Sequence, residues 1–89
     1  MRILGLDYGS KTVGVAMTDA LGMTVQPYKT IQRDRESKLR QTLSEIAEIV
    51  EQYQIEKIVM GLPLNMDDTE GDRAAKTRDF AEKLKLRVA

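Results

Sequence analysis

The chain has no cysteine and no histidine. Without thiols it can build no disulfide framework, no thiolate nucleophile and no cysteine-ligated zinc, and without imidazoles it has no histidine base. Any metal must therefore sit on oxygen donors, which favours magnesium or manganese. Excess charge of one sign is also lacking, since 14 basic side chains balance 14 acidic ones. No global positive field draws in a polyanion, so contact with nucleic acid has to rely on a local patch. Tryptophan is absent and only one Phe and three Tyr occur in 89 residues, so the single domain that fits this length has a thin core. No apolar run approaches the length that crosses a bilayer. Met1 and Arg2 lead straight into a strand pattern without the separate apolar region of a secretory signal, so a cytoplasmic location and no membrane partner are expected.

What is present is organised around Ile3 to Asp19, reading ILGLDYGSKTVGVAMTD. Arg2 to Tyr8 is a short apolar run with the character of a strand buried on both faces. Gly9-Ser10-Lys11 makes a compact connection, and Thr12 to Thr18 returns with Val13, Val15 and Met17 on one face and Gly14 and Ala16 on the other. The small residues predict a helix packed close on their side. Thr24 to Ile31 reads as a third strand, placed at the sheet edge because Pro27 cannot donate to a ladder. From Glu36 to Tyr53 the period changes, with Leu39, Leu43, Ile46, Val50 and Tyr53 forming the stripe of one long amphipathic helix. Ile55 to Leu62 then reads as a buried strand parallel to the first, placed beside it by a right-handed crossover. A loop to Gly71 follows, with Thr69 and Asp72 as candidate caps for a helix that turns Ala74, Ala75, Phe80, Ala81 and Leu84 inward. Leu86 to Ala89 has the look of one more strand beginning. These readings give an α/β fold with strand order 3-2-1-4, the start of a fifth strand, and helices packed on the sheet.

Asp7 is the candidate for chemistry, because open sheets of this kind bind ligands beyond the carboxyl ends of their strands. The alternative is that its side chain folds onto the amides of the Gly9 turn, a common role for Asp in that position. Lys11, across the hairpin mouth, is either a phosphate partner or a solvated turn lysine. Ser10 and Thr12 offer hydroxyls to the same place and decide nothing by themselves. In Gly61-Leu62-Pro63-Leu64-Asn65 the glycine permits close approach and Pro63 fixes the direction of exit, although a plain turn has the same composition. Asp67, Asp68, Glu70 and Asp72 lack the alternating ligand spacing of a calcium loop and read as acids complementing a helix start. Arg73, Lys76 and Arg78 read as a small basic or merely solvated face.

The residues LGLDYGSKTVGVA within Ile3 to Thr18, VMGLPLNMDDTEGDRA from Val59 to Ala74 and TRDFAEKL from Thr77 to Leu84 together resemble the YqgF type, also called RuvX, of Holliday junction resolvases with a ribonuclease H-like fold. The resemblance implies a sheet of five strands, the first three antiparallel, with helices on both faces. It also implies nuclease chemistry, either in processing the 5′ end of pre-16S rRNA or in resolving branched DNA, with carboxylates holding two divalent ions. On that reading Asp7 is the catalytic and metal-binding acid, Mg2+ or Mn2+ the cofactor, and structured RNA or branched DNA the partner. Gly9, Ser10, Lys11, Pro63 and Asn65 are the substrate-binding candidates.

Members of that family continue into an Asp-Glu-Arg motif and then a helix bearing a further acid, and this sequence stops at Ala89 before either. The expectation is therefore a C-terminally incomplete domain, inactive alone, that self-associates through an incomplete sheet edge. Two other classes stay in view. The Asp7 hairpin also resembles the phosphate loop of actin-like phosphotransferases, which need a second related half that this length does not supply. A non-catalytic module that keeps the fold and binds nucleic acid or protein is the other.

Overall fold

A computed structural model describes residues 1–88. The elements run β1 (Ile3–Tyr8), β2 (Thr12–Thr18), β3 (Val25–Gln32), α1 (Arg40–Gln52), β4 (Lys57–Met60) and α2 (Asp72–Val88). The strands form a single sheet in the order β3-β2-β1-β4, with β1–β2 and β2–β3 antiparallel and β1–β4 parallel. This is the order and the mix of directions that the sequence implies.

Alternation along the strands decides where the core lies. Leu4, Leu6 and Tyr8 pair with Met17, Val15 and Val13, and these six are buried with Ile31 of β3 on one side of the sheet. Both helices cover that same side: Ile46 and Ile49 come from α1, and Phe80 and Leu84 from α2. At its centre Phe80 is fully buried and stacks on Tyr8 with ring centroids 4.4 Å apart and planes 17° from parallel.

The other side of the sheet carries Gly5, Asp7, Gly14 and Ala16, and neither helix packs against it. Two expectations are thereby corrected. β1 is buried on one face only, with Asp7 exposed between buried Leu6 and Tyr8. The small residues of β2 admit no helix among the described residues; with Gly5 and Val59 they floor an open concavity. Small side chains are as compatible with a shallow basin as with a close-packed helix, so the pattern alone does not distinguish them.

Pro27 lies on the edge strand, as its missing N–H requires. The pairing steps from Val15 opposite Lys29 to Ala16 opposite Pro27, so Tyr28 is the extra residue of a bulge that bends this edge. α1 begins at Arg40 rather than Glu36, because residues 33 to 39 form a compact turn closed by Lys38 N–H to the Arg35 carbonyl at 3.0 Å and Leu39 N–H to the Ser37 carbonyl at 3.0 Å. β4 is the other edge and contains only four residues.

The expected fifth strand does not form among the described residues. Leu86 to Val88 are the last turn of α2, and Ala89 lies outside the described residues. A strand start needs a neighbouring ladder, whereas Leu, Lys and Arg are good helix formers that extend the turn already in place. Thr69 is no helix cap either: Ala75 N–H bonds the Gly71 carbonyl at 3.0 Å, which puts the cap position at Gly71, while Thr69 bonds back to Asp67.

Candidate functional site

Asp7 is the next-to-last residue of the central strand and stands opposite Gly14 on β2. It rises from the open side of the sheet, in a concavity of about 590 Å3 that Gly5, Gly14, Ala16, Val59 and Gly61 also line. A Cβ on Gly14 would sit 3.6 Å from the Asp7 Cβ, so the missing side chain there leaves the space around the carboxylate clear.

The turn beside Asp7 does not use it. Gly9 N–H bonds the Thr12 carbonyl at 2.7 Å, closing the hairpin main chain to main chain. Among the described residues no donor reaches the Asp7 carboxylate and no ion pair includes it. Asp19, which also begins a turn, behaves in the opposite way. It accepts Met23 N–H at 2.9 Å and the Thr24 hydroxyl at 2.8 Å, and the Met23 bond above all holds its carboxyl below the usual range. Asp7 makes none of the turn bonds that Asp19 makes.

Gly9, Ser10 and Lys11 form the mouth of the same hairpin, with Ser10 and Lys11 exposed. Gly61 joins Asp7 at the concavity, but Pro63 and Asn65 lie farther out along the exposed loop and do not line it. Asn65 braces that loop: its Nδ2 donates to the Thr69 hydroxyl at 3.1 Å, and its main chain bonds Thr69 and Asp68. A Cβ on Gly71 would meet the Asn65 amide oxygen at 2.8 Å, so a side chain there would require the Asn65 amide to move.

The acidic loop is likewise occupied internally. Asp67 accepts from both the hydroxyl and the amide of Thr69, and the hydroxyl bond chiefly lowers its pKa. Glu70 takes a two-pronged bond from Arg78 at 2.7 and 2.8 Å, which lowers its pKa in turn. Among the described residues no three Asp, Glu, His or Cys side chains come together where they would hold a metal. Asp7 fits as one oxygen ligand, but a two-ion clamp needs further acids, so the described residues do not constitute such a centre.

The polar cluster that sequence reasoning missed lies beneath the hairpin mouth. Arg33, just past β3, is buried, donates from Nη2 to the Gly9 carbonyl at 2.6 Å and from Nε to the Glu36 carbonyl at 3.3 Å. Its guanidinium carbon lies 4.8 Å from the centre of the Tyr8 ring, and that of Arg73 lies 5.4 Å from it. Glu36 closes the cluster, taking Arg73 at 2.6 Å and Lys76 at 3.1 Å; the Arg73 bond in particular pulls its pKa down. Arg73, Lys76 and Arg78 are thus paired with acids instead of forming a basic face. An arginine one residue beyond a strand ordinarily reaches solvent, so local sequence carries little sign of the role of Arg33.

The family model described as "RuvX: Holliday junction resolvase" matches residues 1–89. A relative from Agathobacter rectalis, named "Putative pre-16S rRNA nuclease", is 53% identical over 88 residues, which is 99% of this chain and 62% of that protein. The chain thus spans under two thirds of that relative's length. Among solved structures, T. thermophilus RuvC in complex with a Holliday junction substrate superimposes with a TM-score of 0.64 at 12% identity, covering 100% of this chain and 57% of that one. An Aquifex aeolicus Ppx/GppA phosphatase follows with a TM-score of 0.56 at 17% identity, covering 99% and 33%. At such identities the two structures speak for the fold alone, and the first supports the ribonuclease H-like architecture.

Proposed function

The chain belongs to the RuvX family of Holliday junction resolvases, and on that premise we propose that it is the Asp7-bearing part of a nuclease that hydrolyses phosphodiester bonds at the 5′ end of pre-16S rRNA. The carrying observation is the Asp7 carboxylate, exposed at the carboxyl end of the central strand, with no partner among the described residues and with glycines around it. A carboxylate kept out of its own turn and presented on an open surface suits an oxygen ligand for a divalent ion. Mg2+ or Mn2+ would draw the scissile phosphate and activate water when a full ligand set is present. Lys11, Gly9 and Ser10 at the mouth, with Pro63 and Asn65 on the neighbouring loop, are the proposed substrate-binding group.

The relative's name favours RNA, and the family description favours branched DNA, which remains the second reading. Since one carboxylate clamps no ion pair, the 89-residue chain is proposed to bind nucleic acid without cutting it. The edge of β4, which pairs with no further strand among the described residues, is proposed as the surface through which copies self-associate. Incubating labelled pre-16S leader RNA and a labelled four-way junction with the chain and either Mg2+ or Mn2+ tests these points. Binding without cleavage is the expected result. Cleavage abolished by Asp7→Asn would show that the single acid suffices, and cleavage unaffected by that change would remove Asp7 from the reaction. Light scattering across micromolar concentrations tests self-association, and a constant monomer mass excludes it.

No helix among the described residues is long and apolar enough to cross a membrane.

A further inference from the structure

The chain has no net charge, yet four of its exposed cations that lack an acid partner lie together, while two others, Lys57 on β4 and Arg87 at the end of α2, stand apart. The ion pairs employ Lys29, Arg73, Lys76, Arg78, Lys83 and Lys85. Lys11, Arg35, Lys38 and Arg40 are exposed and have no acid partner among the described residues. Lys11 is on the hairpin mouth, Arg35 and Lys38 on the 33–39 turn, which packs against it through Arg33 N–H to the Lys11 carbonyl at 2.8 Å, and Arg40 follows as the first residue of α1.

Between this turn and the β3 edge runs a groove of about 820 Å3, lined by four cationic side chains, Lys29, Arg33, Lys38 and Arg40, against two anionic ones, Asp34 and Glu45. Three details suit it to an anion. Glu36, the other acid of the turn, is drawn away by Arg73 and Lys76. α1 starts on this groove with no side-chain cap and no acid in its first turn, so its first amides, which have no partner within the helix, are left for an outside acceptor. Arg33, nine-tenths buried, adds a positive charge to the groove wall, with an Nη1 that has no partner and is itself enclosed.

We propose that this groove is a phosphodiester-binding strip that holds the nucleic-acid backbone to one side of Asp7, with Lys38 and Arg40 as its principal cations and Arg35 and Lys11 extending it. The proposal rests on the nuclease reading given above and assigns it a surface separate from the open face of the sheet. It also explains how a chain without net charge engages a polyanion, since the attraction is concentrated in one patch.

The test compares Lys38→Glu/Arg40→Glu with Lys83→Glu/Lys85→Glu, which carries the same net charge but lies on the outer side of α2. Anisotropy of a labelled DNA duplex and a labelled RNA hairpin is followed through a KCl titration, and circular dichroism melts verify that both variants fold. The groove variant is expected to bind the duplex with an affinity at least about tenfold lower and with a log–log salt slope shallower by roughly 1.8, two phosphate contacts' worth. The α2 variant should keep the wild-type slope. Equal losses in the two variants, or none in the groove variant, would overturn the strip while leaving nucleic-acid binding intact. A wild-type chain that binds neither probe would overturn both the strip and the reading beneath it.

Discussion

The Arg33 guanidinium bonds the Gly9 carbonyl at 2.6 Å across a sequence separation of 24 residues. With its own N–H on Lys11, Arg33 grips both sides of the hairpin turn that follows Asp7. Arg33→Met removes a charged donor from a part-buried carbonyl and is expected to destabilise the fold by about 1.5–3 kcal/mol. Arg33→Lys should recover only part of that, because an ammonium cannot reproduce the planar fork that reaches Gly9 and Glu36 together. Urea midpoints of the two variants, read at unchanged slope, check both statements.

Asp7 and Asp19 should separate cleanly in stability. Asp7→Asn breaks no bond seen here and is expected to shift the unfolding free energy by less than about 0.5 kcal/mol, as for a surface change without partners. Asp19→Ala loses the Met23 and Thr24 bonds and should melt measurably earlier. Thermal melts in the absence of metal make the comparison. A large loss for Asp7→Asn would return that residue to a turn-forming role.

Phe80 is the most consequential core residue, fully buried and stacked on Tyr8. Phe80→Ala is expected to cost about 3–5 kcal/mol, enough in a domain this small to leave much of the population unfolded. Phe80→Leu, which keeps most of the volume but not the ring stack, should cost far less. Calorimetric or urea unfolding of the pair distinguishes packing volume from ring geometry.

Acid should weaken the fold partly through Glu36. Its folded pKa lies below the ordinary carboxylate range because Arg73 and Lys76 bond the charged form, so the unfolded chain takes up the proton more readily. The stabilisation is therefore complete above the unfolded value and is lost as pH falls through the folded one. Glu36→Gln is expected to lower the melting temperature near neutrality and to flatten its decline in acid. Asp19, Asp67 and Glu70, depressed in the same sense, keep some of that decline in place.

The strand order, the edge position of Pro27 and the inward Ala74, Phe80 and Leu84 were legible from spacing and residue type, because each follows from local period or from a missing donor. Ala75 and Ala81, assigned inward with them, are instead exposed and half-buried, and Thr77 takes the inward place. The side of the sheet on which the helices lie was not legible. Gly14 and Ala16 have the same composition under a helix as beneath open solvent, and only long-range packing decides between them. The end of α2 escaped for a related reason, since Leu86 to Val88 take strand or helix according to what lies alongside. At the site, Asp7 stood out as a lone acid in an apolar run. Arg33, Glu36 and Arg73 did not, because their meeting depends on the crossover bringing β3, the turn and α2 together.

The bulge at Tyr28 has an optical consequence. The Tyr28 and Tyr53 hydroxyls meet at 3.2 Å, with their rings edge to face at 5.4 Å, while Tyr8 is enclosed against Phe80. Since the sequence has three Tyr and no Trp, near-ultraviolet light sees only these two environments besides the single phenylalanine. One chromophore is sealed in the interior, and the other two form a pair that fastens the bent rim of the sheet to the end of α1. Loosening of the rim and melting of the interior thus produce distinct spectral changes, without any added label.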